Sequence, residues 1–206
     1  MLWDTLDPFF DDRYDGVWLV TIDRCLLRDC GLRAMVREDG LMRENYPWPA
    51  EPEPILNVSA AADESGQVTM TQKAALEHLI ANASAYEARI LAWFDAKVKQ
   101  VTAQALEGDF DEVRNWVAAN PGRPLPGVKD QLLLKDIFLH SDGWDGVGCI
   151  TFDFRCGWEE EHGASLVMHA GRTIAEGGQA EFMGAEVLEA ARFRQQWQSG
   201  FDIVLP

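Results

Sequence analysis

The chain of 206 residues carries 34 Asp and Glu against 18 Lys and Arg, a net charge of −16, with 47% hydrophobic residues and eight Trp. A chain of this length buries roughly 70% of the surface its unfolded form exposes, so its core needs no disulfide or metal staple. The charge argues against nucleic acid, whose phosphates call for Lys and Arg, and against anionic membranes, and no apolar run approaches the roughly 20 residues that span a bilayer.

The first sixteen residues are acidic, with Asp4, Asp7, Asp11, Asp12 and Asp15 against Arg13, and lack the basic and apolar regions of a signal peptide. A cytoplasmic protein is the expectation. Val17–Ile22 reads as a strand, followed by a Cys/Leu/Arg-rich stretch to Gly40. Pro47, Pro49, Pro52 and Pro54 then fix φ and remove amide donors, which makes 46–54 an extended connector. Two parts follow: a β-rich segment over 1–49 and an α+β domain over 50–206.

Ile55–Val58 predicts a short strand and Asp63–Gly66 a turn. Residues 70–104 place Leu76, Leu79, Ile80, Ala83, Tyr86, Ile90, Leu91, Phe94, Val98 and Val101 at the spacing of one helical stripe. Thr69 and Gln72 are set as a capping box. One long helix, or two joined near Asn82, fits this pattern. A shorter helix is predicted from Asp109 to Asn120, where Asn120-Pro121-Gly122 stops it.

Residues 131–177 predict an antiparallel meander. Leu133–His140 is the first strand and Ser141–Gly146 its turn. Ile150, Phe152, Phe154, Cys156 and Trp158 alternate with Thr151, Asp153 and Arg155, which predicts one buried and one wet face. Leu166–His169 returns, Ala170-Gly171 turns, and Arg172–Glu176 is the last strand. A C-terminal helix is predicted over 181–198. The fold class is therefore α+β: a meander packed on the long helix and the C-terminal helix.

Cys25, Cys30, Cys149 and Cys156 form no C-x-x-C pair. Cys149 and Cys156 are an odd number of positions apart in one strand, so they point to opposite faces and cannot bond. All four read as buried thiols.

Gly157-Trp158-Glu159-Glu160-Glu161-His162-Gly163 is the densest chemistry in the chain, and its expected place is a hairpin connection. Together with Val167-Met168-His169 and Gly177-Gly178, it resembles the W-[DE]-x-E-H-G…G-G ending of a bacterial family of unknown function. The Thr69…Gln72…Ala74-Ala75-Leu76…Asn82 helix start and the strand and turn at Leu139–Gly146 are similar to that family as well. Glu159 stands where Asp is commoner, and Ala164-Ser165 replaces a more usual Leu-Gly. The resemblance spans about 50–185, and residues 1–49 match least. It implies an immunity protein or a related interaction module, because members are often encoded beside secreted antibacterial toxins of the type VI secretion kind.

Two readings of the residues compete. In the binding reading, Asp142, Trp144, Asp145, Glu159, Glu160, Glu161 and His162 present an acidic surface to a basic toxin, a nuclease cleft being one natural target. It calls for no cofactor, no metal and no catalytic residue. In the alternative, a metal-assisted hydrolase is centred on His162, with Cys156, Glu160 or Glu161, and His169 as ligand types suited to zinc. The spacing C-x5-H-x6-H is no standard structural-zinc pattern, and no G-x-S-x-G, H-E-x-x-H or P-loop is present to support Ser165 as a nucleophile.

Overall fold

A computed structural model describes residues 2–11, 17–27, 55–107, 111–121, 132–156 and 159–177. The Cys/Leu/Arg-rich stretch after Leu27, the proline connector, the Asp109 capping position, and the C-terminal helix expected over 181–198 lie outside the described residues.

The fold is α+β. In chain order come α1 (Leu2–Thr5), β1 (Phe9–Asp11), β2 (Val17–Asp23), a 3-10 turn (Arg24–Leu27), β3 (Ile55–Ala61), α2 (Met70–Ala81), α3 (Ala83–Glu107), α4 (Asp111–Ala119), β4 (Leu132–Trp144), β5 (Val147–Cys156), β6 (Glu159–His169) and β7 (Arg172–Gly177). The strands form one seven-stranded sheet in sequence order. All pairings are antiparallel except β3–β4, where Asn57 meets Asp136 and Ala60 meets Leu139 in parallel. The expected meander is thus β4–β7. The N-terminal strands extend the same sheet rather than standing apart from it, because β2 pairs with β3 along its full length.

The helices between β3 and β4 lie on one face. Thr69 caps α2: its side chain accepts from the Gln72 amide, and the Gln72 side chain accepts from the Thr69 amide. Gln72 does more than close this box. It is fully buried, and its Nε2 donates to the Ala61 and Leu139 carbonyls, each at 3.0 Å, so one side chain joins the helix start to the end of β3 and to β4 where the β3–β4 pairing stops. The long apolar stripe is two helices. Asn82 ends α2 by donating its amide and its Nδ2 to the His78 carbonyl, and its own carbonyl accepts from Ala85 and Tyr86 to begin α3.

Leu76, Leu79, Tyr86, Ile90 and Phe94 of the predicted stripe are buried, while Ile80, Ala83 and Leu91 flank them. They meet Val20, Leu56, Val58, Ile137, Leu139, Ile150, Phe152, Phe154 and Leu166 of the sheet. Tyr86 packs on Phe152, and Phe94 packs edge-on to Phe154. Trp93 donates its indole N–H to the Glu176 carboxylate, and Lys97 approaches the same group at 3.2 Å, tying α3 to β7. α1 docks on α2 through buried Trp3 and the Lys73–Asp4 ion pair at 2.7 Å.

The wet face expected on β5 is corrected by the structure. Thr151 is 0% exposed, as are Cys149 and Val167 on the same face, and Asp153 and Arg155 are only half-buried. Polar residues survive there because they pair with one another: His140 Nε2 lies 2.7 Å from Thr151 Oγ1, and Ser165 donates to Asp153. Cys149 and Cys156 are buried on opposite faces and not bonded to each other, and of the two Cys156 belongs to the core beneath the helices.

Candidate functional site

The turn between β4 and β5 is shorter than expected. Both strands run to its edge, with Trp144 opposite Val147, leaving only Asp145 and Gly146 between them. Their φ values of 54° and 78° are those of a type I′ hairpin, for which Asp-Gly is a favoured pair. Gly143 and Gly148 permit the strands to close behind it. A Cβ on Gly143 would lie 2.1 Å from the Val147 carbonyl oxygen, and one on Gly148 would lie 2.2 Å from that of His140.

Asp142 and Asp145 are exposed on this tip. Trp144 is half-buried, because its ring stacks on His169 of β6 with centroids 3.7 Å apart and planes 23° apart. His169 Nε2 lies 3.0 Å from the Trp144 carbonyl oxygen and 3.1 Å from that of Val147. Both partners are acceptors, so Nε2 carries the hydrogen.

Below the tip, His140, Ser141 and Asp142 together face the single residue Cys149, a bulge that sharpens the strand's bend. Burial pulls the His140 imidazole down to about 4, against the opposing pull of Asp142. Burial, then Asp142, pushes the Cys149 thiol up to about 12. Thr71 at the start of α2 donates to the Ser141 carbonyl at 2.8 Å, which anchors this end of β4 to the helix layer.

The E-E-E-H-G segment is not a hairpin connection. Cys156 pairs with Glu159, and Phe154 pairs with Ala164, so Arg155 alone faces Glu160, Glu161, His162 and Gly163. These residues form a wide bulge inside β6. Gly163 is required there: its φ is 60°, and a Cβ would lie 2.2 Å from the Phe154 carbonyl oxygen. The side chains of Glu159, Glu160, Glu161 and His162 lie outside the described residues, as do Gly157 and Trp158.

The expected acidic surface divides in two. Asp142, Trp144 and Asp145 sit at one end of β5, and Glu159–His162 sit at the other, ten strand residues and about 30 Å away. The same separation breaks the ligand set of the hydrolase reading. Cys156 is at the Glu159 end, whereas His169 is at the tip, bonded to two carbonyls, so they cannot close on one ion. Among the described residues, no group of three His, Cys, Asp or Glu side chains is placed to hold a metal. Ser165 is 1% exposed and bonded directly to a carboxylate rather than to an imidazole.

His140 escapes a reading of the sequence, as do the bracing of the tip by His169 and the bridge that Gln72 makes between β3 and β4. A period-two count places His169 on the face of Thr151 and Ser165, but nothing in the sequence says that the β4–β5 turn folds back over it. Among the described residues, no helix is long and apolar enough to cross a membrane. No curated protein and no solved structure matched the chain. Residues 43–183, more than two-thirds of the chain, match a family model described as a domain of unknown function, and the chain therefore belongs to the DUF6985 family.

Proposed function

We propose that this chain is an immunity protein that binds a secreted antibacterial toxin and neutralises it by occluding its active cleft. The single observation that carries the reading is the β4–β5 tip: exposed Asp142 and Asp145 flank Trp144 on a two-residue turn braced from below, on a chain of net charge −16. Trp is a frequent hot-spot residue, and fixed carboxylates around it suit a basic target such as a nuclease cleft. The protein acts in the cytoplasm of the cell that makes it, against toxin delivered by a neighbour through a type VI system.

A standard interface covers about 800 Å² on each partner, a patch roughly 30 Å across. Centred on the tip, it reaches about 15 Å and leaves Glu159, Glu160, Glu161 and His162 outside. Their carboxylates then act by long-range steering, which salt screens.

Co-expression with the toxin domain encoded in the adjacent reading frame tests the proposal. Growth is restored by the native chain and lost with Asp142→Lys/Asp145→Lys, while charge reversal at Glu159–Glu161 slows association without abolishing protection. Full protection by the tip variant moves the interface elsewhere, and no protection by the native chain removes the immunity reading.

A further inference from the structure

We infer that His169 is the positioning residue of this tip, holding Trp144 and the Asp145-Gly146 turn in one geometry before a partner arrives. The inference rests on the docking role proposed above, yet its structural half is testable alone. His169 is 4% exposed and reaches the turn from a third strand. Its Nε2–H spans the carbonyls of Trp144 and Val147, the two residues that bracket the turn, at 3.0 and 3.1 Å. Its ring lies under the indole at 3.7 Å. One imidazole therefore fixes both the backbone aperture of the hairpin and the rotamer of its aromatic side chain.

A two-residue hairpin end is otherwise free to fray, and ordering a Trp at such an end opposes binding. His169 removes that cost in advance, because the strand carrying it is held between β5 and β7. Neither substitution keeps both functions: Phe retains the stack without a donor, and Gln retains a donor without the stack.

The full chain labelled with 5-fluorotryptophan tests this by fluorine NMR, with Trp144→Phe identifying the Trp144 line among eight. In His169→Ala the Trp144 line moves toward the position of free fluorotryptophan and sharpens, while the other lines stay in place and report an intact fold. His169→Phe keeps the line near its native position. Long-range proton–nitrogen spectra place the His169 hydrogen on Nε2. Affinity for a nona-arginine peptide at low ionic strength falls about tenfold in His169→Ala and less in His169→Phe. A Trp144 line that does not respond to His169→Ala overturns the inference. If that variant does not fold, His169→Gln replaces it: the stack is lost, so the line moves, and an unmoved line overturns the inference equally. If the line moves while the peptide binds equally to His169→Ala and to Asp142→Asn/Asp145→Asn, positioning stands and the docking role of the tip falls.

Discussion

Acidification provides a quantitative test of how the far face of the sheet is built. His140 is held neutral by burial, with its Nε2 on Thr151 Oγ1, its ring edge-on to Phe138, and Asp142 and Cys149 nearby. Its folded value of about 4 lies below the unfolded value of 6.5. The unfolded chain therefore binds the proton first, and stability is fully present above pH 6.5 and lost as pH falls toward 4. Each unit of that gap corresponds to 1.36 kcal/mol, and His140 as a whole is only half-buried, so the loss is about 2 to 3 kcal/mol. Urea unfolding of the native chain and of His140→Gln at pH 7 and pH 4.5 measures it. Carboxylates such as Asp4 and Asp63, both held low by hydrogen bonds, titrate in both proteins and cancel in the comparison. His140→Gln starts less stable at pH 7 but loses less on acidification. Equal losses in the two proteins would refute the burial of a neutral imidazole at this position.

Other substitutions separate backbone demands from packing. Gly163→Ala places a methyl against the Phe154 carbonyl at φ 60° and costs more than about 2 kcal/mol, read as a drop in thermal midpoint of roughly 4 °C or more. Ala170, at φ 46° in the β6–β7 turn, is strained for an L residue, so Ala170→Gly or Ala170→Asn raises stability by up to about 1 kcal/mol in the same assay. Gln72→Leu removes half of the capping box and leaves the Ala61 and Leu139 carbonyls without its amide. It costs about 2 to 3 kcal/mol by urea unfolding, whereas Thr69→Ser is nearly silent.

The features legible in the sequence are those set by near neighbours in the chain. Thr69 and Gln72 mark the start of α2 and Ala170-Gly171 a turn, Asn82 offers a break that the sequence leaves open, and Ser141–Gly146 holds the Asp145-Gly146 turn within a longer stretch, because caps and turns are local chemistry. The E-E-E-H-G bulge reads as a connection because a bulge suspends the alternation by which strands are recognised. The burial of Thr151 is hidden for a different reason. Alternation distinguishes polar from apolar, but it cannot distinguish a hydroxyl facing water from one facing His140. The β3–β4 pairing is hidden by distance, since Ser59 donates to the Ile137 carbonyl from 78 residues away. The site is half legible. Asp142, Trp144 and Asp145 stand together in the sequence, but their brace on β6 and their separation from Glu159 depend on register.

The one-after-another order of the seven strands bears on how the polypeptide is made. During synthesis β2, β5, β6 and β7 each emerge within a few residues of the strand they pair with, and β3 follows β2 after residues 24–54. The widest gap precedes β4, which must wait for α2, α3 and α4 to appear before it can dock alongside β3. Until then the flank of β3 that β4 covers has no mate, and of the two carbonyls that Gln72 bridges in the folded chain only that of Ala61 has been made. The slow event in biogenesis is the closing of this seam, and a chain halted before Leu132 is the form most open to pairing with the wrong strand.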